Sequence, residues 1–342
     1  MENNNELPQI ENVDETETKR MMADFRGEKL GWVTVGEKKC FVPAKYVKQC
    51  SVYYNFEAKP DDTWVVTYPR SGTTWTQELV WLLSNDLDYK TATSVPLVMR
   101  YPFLELSMAV PDSTIESIRK EHRNNAEIEA IVSNVDSSYE VARTMPSPRF
   151  IKTHFLLSLV PNILKSKCKV VYVARNPKDV AVSYYHFHQS AKAYDYCGDF
   201  ERFWNYFQND QVSFSPYWKH IKEGWLHRHE PNFLFLFYEE MTHDLLTATK
   251  KVANFLGKSY TEEQYEKLVN HLTFHNLQNN KMVNLTRDKA KVIFKKDTFM
   301  RQGKSQAWHS MFSPTLNEQA NNWIRENLKD TDIEFPFIDI YS

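Results

Sequence analysis

The stretch TYPRSGTTW at residues 67–75 joins the apolar run TWVVTY to the helix-like run QELVWLL, which predicts a turn between a strand and a helix. Gly72 can adopt backbone conformations that other residues avoid, and N–H groups of residues 71–74 at a helix start can surround an anion. Arg70 adds a guanidinium that binds anions through charge-assisted hydrogen bonds. An ordinary tight turn with a helix cap is the alternative for SGTT alone, and the complete stretch favours an anion site.

Strand-like apolar runs alternate along the chain with helix-like runs, without a repeat or a low-complexity linker. This alternation predicts an α/β fold: a single domain with a central, mainly parallel sheet flanked by helices, and a P-loop-like turn at its edge. The predicted strands are residues 63–68, 149–153, 169–175 and 232–238. The acidic, polar opening predicts a flexible N-terminal tail over residues 1–20, so the domain is expected to span residues 21–342.

The segment ARNPKDVAVSYYHF at residues 174–187 predicts a second strand-to-helix turn. Asn176 is a helix-capping residue type, Pro177 suits the first helical position, and Asp179 suits the first turn. Arg175 is therefore expected at the carboxyl end of a strand. Ligands of open α/β sheets bind beyond those ends, so Arg175 is a candidate anion-binding residue.

Composition limits the possible partners. The chain has 342 residues and a net charge of -2, so no overall field favours nucleic acid or an anionic membrane. No apolar stretch approaches the roughly 18 residues that span a bilayer, and the opening lacks the pattern of a secretory signal. The four cysteines form no CxxC pair, which suits a reducing compartment. A soluble, cytoplasmic protein is expected.

Several familiar motifs are absent from the sequence. The nucleoside-triphosphate pattern GxxxxGK[ST] would need an earlier glycine and a lysine that this turn lacks, which disfavours a kinase or GTPase. Neither GxGxxG nor GxSxG occurs, so NAD binding and an α/β-hydrolase nucleophile are also disfavoured. No metal site is expected, because no HExxH-like motif accompanies the close histidine pairs. These pairs are His186 and His188, His227 and His229, and His271 and His275.

Together, TYPRSGTTW, KTHF, ARNPKDVAVSYYHF, FLFYEEM and FMRQGKSQAW resemble the cytosolic sulfotransferases in order and spacing. The resemblance covers residues 56–318. It implies an enzyme that transfers a sulfuryl group from 3'-phosphoadenosine 5'-phosphosulfate (PAPS) to a hydroxyl or amine. The acceptor would be a small, mostly apolar molecule such as a phenol, a steroid or a retinoid. No metal is required in this interpretation, because basic side chains can neutralise the leaving phosphate.

The resemblance also assigns roles to individual residues. His154 would be the base that takes the acceptor's proton, since an ordinary histidine pKa near 6.5 suits proton abstraction at neutral pH. Lys152 would lie beside the transferring group, and Arg70 and Ser183 complete the predicted catalytic set. The predicted donor-binding residues are Arg70, Ser71, Gly72, Thr73, Thr74, Trp75, Arg175, Ser183, Tyr238, Thr273, Phe274, Phe299, Met300, Arg301, Gln302 and Gly303.

Different parts of the donor would contact different members of this set. The family's adenine contacts correspond to Trp75, Phe274, Tyr238 and Thr273. Its contacts to the 3'-phosphate correspond to Arg175 and Ser183. Aromatic stacking on a base is typically worth about 1–3 kcal/mol, although each of these aromatic residues taken alone would more often belong to a core.

The acceptor pocket is expected to be apolar with few polar groups. Phe103 and Phe187 match pocket positions of the family, and residues 284–297 would form a variable lid. The chain departs from the usual pattern at several positions: Arg70 stands where lysine is commoner, Gln302 also replaces a lysine, and Gln306-Ala307 replace a Gly-Asp pair. Arginine keeps the charge of lysine but is planar and bulkier, so it is expected to hold the 5'-phosphosulfate more rigidly.

Two alternatives to simple sulfuryl transfer remain open. The chain resembles insect members of the family such as retinol dehydratase, which implies sulfonation of an allylic alcohol followed by elimination. A protein that binds PAPS without turnover is the second alternative, and the presence of both Lys152 and His154 argues against it.

Dimerisation is a further expectation drawn from the family. Many members pair through a short KxxxTVxxxE segment, where this chain has HSMFSPTLNE. Pro314 in that segment has no backbone N–H to donate to a pairing edge. A dimer is possible, but the usual dimer motif is degenerate.

Overall fold

The computed structural model describes residues 6–284, 292–295, 306–337 and 341. Two sheets form in this part of the chain, a small antiparallel one and a larger parallel one. The strands are β1 Ile10–Asn12, β2 Trp32–Val35, β3 Cys40–Pro43, β4 Thr63–Thr67, β5 Phe150–Thr153, β6 Lys169–Ala174 and β7 Phe233–Phe237.

Helices surround the parallel sheet. They are α1 Glu15–Asp24, α2 Cys50–Tyr54, α3 Thr73–Ser84, α4 Tyr89–Ala92, α5 Leu97–Arg100, α6 Leu106–Ala109, α7 Asp112–Glu121, α8 Ala126–Asp136, α9 Ser138–Thr144, α10 Asn162–Lys165, α11 Pro177–Ser190, α12 Phe200–Gln208, α13 Tyr217–Leu226, α14 Tyr238–His243, α15 Leu245–Leu256, α16 Glu262–His271, α17 Phe274–Asn279, and a further helix, Pro314–Leu328. Short 3-10 turns span Ala44–Lys48, Leu157–Leu159 and Ala307–Ser310. None of the described helices has both the length and the apolar character that a membrane crossing requires.

The parallel sheet confirms the predicted α/β fold. Its strand order is β5-β4-β6-β7, and every neighbouring pair is parallel. The observed strands differ from the predicted ones by one residue at some ends, because the ladder stops at Thr67 opposite Val173 and at Ala174 opposite Phe237. The chain therefore leaves all four strands at one edge of the sheet, where ligands of such folds bind.

Both faces of the parallel sheet are buried, which explains why its strands read as continuous apolar runs. Successive side chains of a strand point to opposite faces. In β4, Trp64 and Val66 pack with α11 and α12 residues such as Val180 and Phe207. Val65 packs on the other side with Leu79 from α3. The sheet is thus a rigid layer between two cores, and it holds the turns at its edge in fixed positions.

The N-terminal segment differs from its prediction as a tail through residue 20. Ile10 to Asn12 form β1, which pairs antiparallel with β2. Helix α1 begins after Asp14, whose carboxylate accepts hydrogen bonds from two backbone N–H groups. The segment is ordered because its backbone joins a sheet and Met21 is fully buried, neither of which its acidic composition signals. A single domain over residues 21–342 stays a prediction.

Candidate active site

The turn between β4 and α3 has the backbone shape of an anion cradle. Gly72 has φ +95°, and a Cβ there would lie 2.6 Å from the Tyr238 ring. Arg70 also has a positive φ of 70°, which is strained for a residue other than glycine. The Ser71 hydroxyl is buried and has no hydrogen-bond partner among the described residues. The turn thus brings backbone N–H groups and a hydroxyl to the start of a 12-residue helix.

Helix α11 faces this turn and contacts Arg70 at two positions one turn apart. The Arg70 Nε donates to the Ser183 Oγ at 3.1 Å. The Arg70 guanidinium lies over the Phe187 ring, 4.9 Å from its centroid. The cation of the turn is therefore placed between Ser183, predicted for the donor site, and Phe187, predicted for the acceptor pocket.

Arg175 lies at the carboxyl end of β6, as the sequence predicts. Its Nη1 donates to the backbone oxygen of Arg70 at 3.0 Å, and its guanidinium lies 4.2 Å from the centroid of the Tyr238 ring. Asn176 caps α11 by accepting from the Lys178 N–H at 2.9 Å, and Pro177 occupies the first helical position. The helix cap fixes where β6 ends, so it also fixes the nearly buried Arg175 beside the turn.

His154 is held in one tautomer. Its Nδ1 lies 2.8 Å from the Thr67 carbonyl oxygen, which can only accept, so Nδ1 carries the proton. In the neutral ring Nε2 is then the basic nitrogen, and it has no partner within the described part of the chain. Burial holds the pKa of His154 well below its usual value, and the nearby charge of Lys152 lowers it further. The imidazole is neutral at physiological pH and available as a base.

Lys152 lies on β5, two residues before His154. Its Nζ is 4.3 Å from the centroid of the Phe103 ring. Burial lowers the pKa of Lys152 to about 8, the charge of Arg70 acts in the same direction, and Glu105 opposes both. The ammonium remains mostly protonated at neutral pH and is a positive charge in the wall of the cavity.

Two residues beside His154 do not figure in the sequence prediction. The Glu105 Oε1 accepts from the His154 backbone N–H at 2.5 Å, and the His154 carbonyl accepts from the His220 Nε2 at 3.1 Å. A carboxylate next to the apolar run YPFL could have drawn attention to Glu105, because buried carboxylates are rare. His220 gave no such signal, since one histidine in an amphipathic helix is ordinary.

A cavity of about 950 Å³ joins the predicted donor and acceptor residues. The predicted residues that line it are Arg70, Gly72, Thr73, Thr74, Trp75, Phe103, Lys152, His154, Arg175, Ser183, Phe187, Tyr238 and Phe274. Ser71 and Thr273 do not line it, since the Ser71 side chain is buried in the turn and the Thr273 hydroxyl caps α17. The remaining predicted residues, Phe299, Met300, Arg301, Gln302 and Gly303, lie outside the described part of the chain.

The end of the cavity that holds the predicted acceptor residues is apolar, and the sequence identified little of it. Its wall includes Met99 from α5, Ile131 and Val135 from α8, and Tyr194 after α11. Of the predicted lid, residues 284 and 292–295 are described, and Ile293 and Phe294 contribute to the same wall. Residues 285–291 and 296–297 lie outside the described part. The wall residues come from separate elements, so no local sequence pattern indicates that they line the same surface.

Two aromatic residues predicted to bind the donor, Trp75 and Tyr238, are not stacked on one another. The Trp75 and Tyr238 rings meet edge to face, with centroids 5.7 Å apart and an interplanar angle of 69°. Phe274 begins α17 and faces the same cavity. No group of three or more His, Cys, Asp or Glu side chains in the described ranges is arranged to hold a metal ion.

The chain is similar in sequence and fold to known sulfotransferases. Residues 60–332 match the family model described as "Sulfotransferase domain". Luciferin sulfotransferase of Photinus pyralis is 35% identical over 323 residues, covering 91% of this chain and 83% of that protein. Sulfotransferase 1 family member D1 of Rattus norvegicus is 33% identical over 319 residues, covering 93% and 96%.

Solved structures of retinol dehydratase have the same fold. The complex of that protein with retinol and PAP superposes with a TM-score of 0.88 at 35% identity, covering 96% of this chain and 99% of that one. Its complex with androsterone and PAP has the same TM-score and identity, with coverage of 97% and 99%.

Proposed function

The chain belongs to the sulfotransferase domain family and is a transferase, and we propose that it moves the sulfuryl group of PAPS to a small apolar acceptor. The acceptor would offer a hydroxyl or an amine. One observation carries the proposal: the neutral His154, with Nδ1 bound to Thr67, lines a single cavity together with the anion cradle and the apolar wall.

The turn before α3 fits the 5'-phosphosulfate of PAPS. Gly72 leaves no room for a side chain, and the buried Ser71 hydroxyl is unsatisfied within the described part of the chain. Backbone N–H groups at a helix start and the Arg70 guanidinium supply the positive ends of hydrogen bonds that such a group needs. The adenosine 3',5'-bisphosphate PAP in the retinol dehydratase complexes supports a donor of this class.

Arg175 and Ser183 are proposed to hold the 3'-phosphate. Both line the cavity, and Arg175 is anchored to the donor turn through the Arg70 carbonyl. A planar guanidinium with several N–H donors suits a phosphate. Trp75 and Phe274 would supply the faces against which adenine packs, with Tyr238 near its edge.

In the proposed reaction, bound PAPS supplies an activated sulfuryl group with a phosphate as the leaving group. His154 Nε2 takes the acceptor's hydroxyl proton while the acceptor oxygen forms its bond to sulfur and the sulfur–phosphate oxygen bond breaks. Lys152 and Arg70 present positive charge where negative charge grows on the departing phosphate, as in phosphoryl transfer. The described side chains provide all of these roles, so we propose that no metal is required.

Transfer of labelled sulfate from PAPS to a panel of phenols, a steroid and retinol tests this function. His154→Ala should lower kcat by about 10²–10⁴-fold, as expected for loss of a general base, while PAP binding by calorimetry stays unchanged. His227→Ala is a matched control, because His227 pairs with Glu230 away from the cavity. No transfer by the unaltered protein, or full kcat in His154→Ala, would contradict the proposal.

Elimination after sulfonation is a second candidate. The similarity to retinol dehydratase, with a TM-score of 0.88, supports elimination as a second candidate reaction. An allylic alcohol would first gain the sulfuryl group and then lose hydrogen sulfate to give an alkene. Mass spectrometry separates the outcomes, because a stable sulfate ester is heavier than the alcohol by SO3 and the alkene is lighter by water.

We also propose a cytoplasmic location. The four cysteines, Cys40, Cys50, Cys168 and Cys197, are all free thiols in the structure, which suits a reducing compartment.

Pro314 is the first residue of the helix Pro314–Leu328, and Ser313 caps it. A pairing edge at this segment is therefore disfavoured, so dimerisation through the family's usual motif is not proposed.

A further inference from the structure

Glu105 is a buried carboxyl group that the proposed reaction does not use. It precedes α6 and exposes none of its surface. The residues before it run alongside β5, since the Lys152 N–H donates to the Pro102 oxygen at 2.9 Å and the Leu104 N–H donates to the Lys152 oxygen at 3.0 Å. This pairing brings the Glu105 side chain to the point where β5 ends.

Both oxygens of Glu105 contact residues at the end of β5. Oε1 accepts from the His154 backbone N–H at 2.5 Å, and Oε2 is 2.9 Å from the Thr153 Oγ1. The same Thr153 hydroxyl accepts from the Phe155 N–H at 3.1 Å. The carboxyl group therefore fixes the backbone on both sides of the His154 ring.

His154 has few ways to move while these contacts hold. Its carbonyl accepts from the His220 Nε2 at 3.1 Å, and its ring Nδ1 donates to the Thr67 oxygen at 2.8 Å. The Phe103 ring lies edge to face with the imidazole, 5.0 Å between centroids. Glu105 is the side chain that binds the backbone N–H, so losing it would leave that buried donor unpaired and let the ring shift.

We propose that Glu105 is a positioning residue that holds the His154 ring in the orientation of a base, and that it acts through its two hydrogen bonds and not through charge. This inference rests on the proposed function, because it takes His154 to be the base. Glu105 itself touches neither the donor nor the acceptor in this assignment.

The protonation of Glu105 supports a role through hydrogen bonding. Burial raises the pKa of Glu105 to about 8, although the bonds from His154 and Thr153 act in the opposite direction. In the structure Oε1 accepts from the His154 N–H and Oε2 accepts from the Thr153 hydroxyl. When the carboxyl is protonated, its O–H can donate to the Thr153 oxygen instead, because a hydroxyl both donates and accepts. Glutamine has the same pair of groups at the same positions, with its amide N–H donating to the Thr153 hydroxyl.

The test compares Glu105→Gln with Glu105→Leu at pH 7. The glutamine variant should keep kcat within about threefold, because it preserves both hydrogen bonds. The leucine variant has similar bulk without polar atoms, so its kcat should fall by about 10–100-fold, since small misplacement of a base is costly. PAP affinity, measured by calorimetry, should remain within about threefold in both variants.

A second measurement needs no donor and no turnover. Hydrogen–deuterium exchange of the peptide containing His154 reports directly on the His154 backbone N–H, which donates its hydrogen bond to Glu105. In the free protein this peptide should exchange faster in Glu105→Leu and at the original rate in Glu105→Gln. The β7 peptide Phe233–Phe237 should not change, which separates a local effect from general unfolding.

Glu28→Leu is the matched control. Glu28 is also buried, and its Oε1 accepts from the N–H groups of Lys29 at 2.8 Å and Leu30 at 2.7 Å. It does not line the cavity. Its replacement should lower the melting temperature without changing kcat or the exchange of the His154 peptide.

Two results would overturn the inference. A loss of kcat in Glu105→Gln as large as in Glu105→Leu would mean that charge, not hydrogen bonding, is the contribution. Unchanged kcat and unchanged exchange in Glu105→Leu would mean that Glu105 does not position His154. If the leucine variant fails to fold, the glutamine variant alone still decides between the two mechanisms. Absence of transfer by the unaltered protein would instead reject the proposed function, and the exchange experiment would still test whether Glu105 holds His154.

Discussion

Single side chains at the sheet edge differ in how burial affects their charge. His154 and Lys152 both have lowered pKa values because the protein withdraws them from water. For the histidine this preserves the neutral form that a base needs. For the lysine it brings the loss of positive charge close to physiological pH, so the two residues should set opposite limits on the active pH range.

The first prediction concerns this pH range. The pKa of His154 lies well below 6.5, so protonation of the base should not reduce kcat/KM until the solution is more acidic than that value. Lys152 loses its proton as the pH rises through about 8, so kcat/KM should fall on the alkaline side with an apparent pKa near 8. Steady-state rates measured across the pH range with a non-titrating alcohol acceptor check both limits.

Lys152→Arg provides the control for that profile. An arginine retains its proton throughout, so the alkaline decline should disappear even if the maximal rate is lower. An alkaline decline that persists unchanged in this variant would assign it to another group.

The second prediction concerns the 3'-phosphate. Arg175→Ala should weaken PAPS binding by about 30-fold or more, because removing one partner of a buried charge pair costs about 2–5 kcal/mol. Binding of adenosine 5'-phosphosulfate, which lacks the 3'-phosphate, should change little. Calorimetry with both nucleotides checks the difference.

Arg228→Ala is a suitable control for Arg175→Ala. Arg228 also lies over an aromatic ring, that of Trp225 at 4.3 Å, but it lies outside the cavity. Its loss should affect neither nucleotide. If Arg175→Ala lowered the affinity for both nucleotides equally, Arg175 would not be the residue that binds the 3'-phosphate.

The strands of the parallel sheet and the helices that follow them place Arg70 and Arg175 close together. Helices α3 and α11 both start where a strand of the parallel sheet ends, and each start has its own local cause. Gly72 permits the left-handed backbone before α3, whereas Asn176 and Pro177 begin α11 by capping and by a preset φ. The two helix starts therefore present Arg70 and Arg175 to each other.

The third prediction tests the turn before α3. Gly72→Val should abolish donor binding or weaken it by at least about tenfold, equivalent to 1.4 kcal/mol. The reason is that a Cβ would lie 2.6 Å from the Tyr238 ring and φ +95° is unfavourable for valine, so the N–H groups must move. Calorimetric titration with PAP measures the loss.

Gly257→Val separates backbone strain from a change at the site. Gly257 also has a positive φ, of 74°, but nothing lies within 4 Å of a Cβ placed there. This variant should lose some stability and keep its affinity for PAP. Normal PAP affinity in Gly72→Val would show that the turn is not the phosphosulfate cradle.

At the scale of the whole molecule, a buried ion pair and the cavity lie at opposite ends of the parallel strands. At the amino end, Arg149 and Asp62 form a buried, two-pronged ion pair, with Nε–Oδ1 and Nη2–Oδ2 distances of 2.7 Å. Both side chains are almost completely buried. The cavity lies at the opposite end of the same strands, so the ion pair ties β4 to β5 without reaching the site.

The fourth prediction follows from this separation. Asp62→Ala leaves the Arg149 guanidinium buried without its carboxylate, which should reduce the free energy of unfolding by about 3–5 kcal/mol. Denaturant unfolding measures this loss. The variant's kcat, assayed where it remains folded, should match that of the unaltered protein. A large drop in kcat with little loss of stability would contradict the separation.

Local sequence patterns determined the parallel sheet, the turn before α3 and the start of α11. These features depend on neighbouring residues, through strand-like apolar runs, a glycine at a turn, and capping residue types before a helix. That is why the observed strands agree with the predicted ones almost to the residue. The acidic N-terminal segment was misjudged because its order comes from pairing with β2, a contact that composition does not encode.

Only the tertiary structure decided which distant residues meet at the site. Glu105 and His220 reach His154 from separate elements, and Ile131 and Phe294 join one cavity wall although they are far apart in the chain. Such contacts depend on how helices and loops pack around the sheet, and many sequences are compatible with each packed position. The sequence by itself thus predicted the edge of the sheet at which the proposed site lies. Packing decided the pKa shifts of the groups there, because burial causes them, and the shape of the pocket, because that depends on which side chains meet.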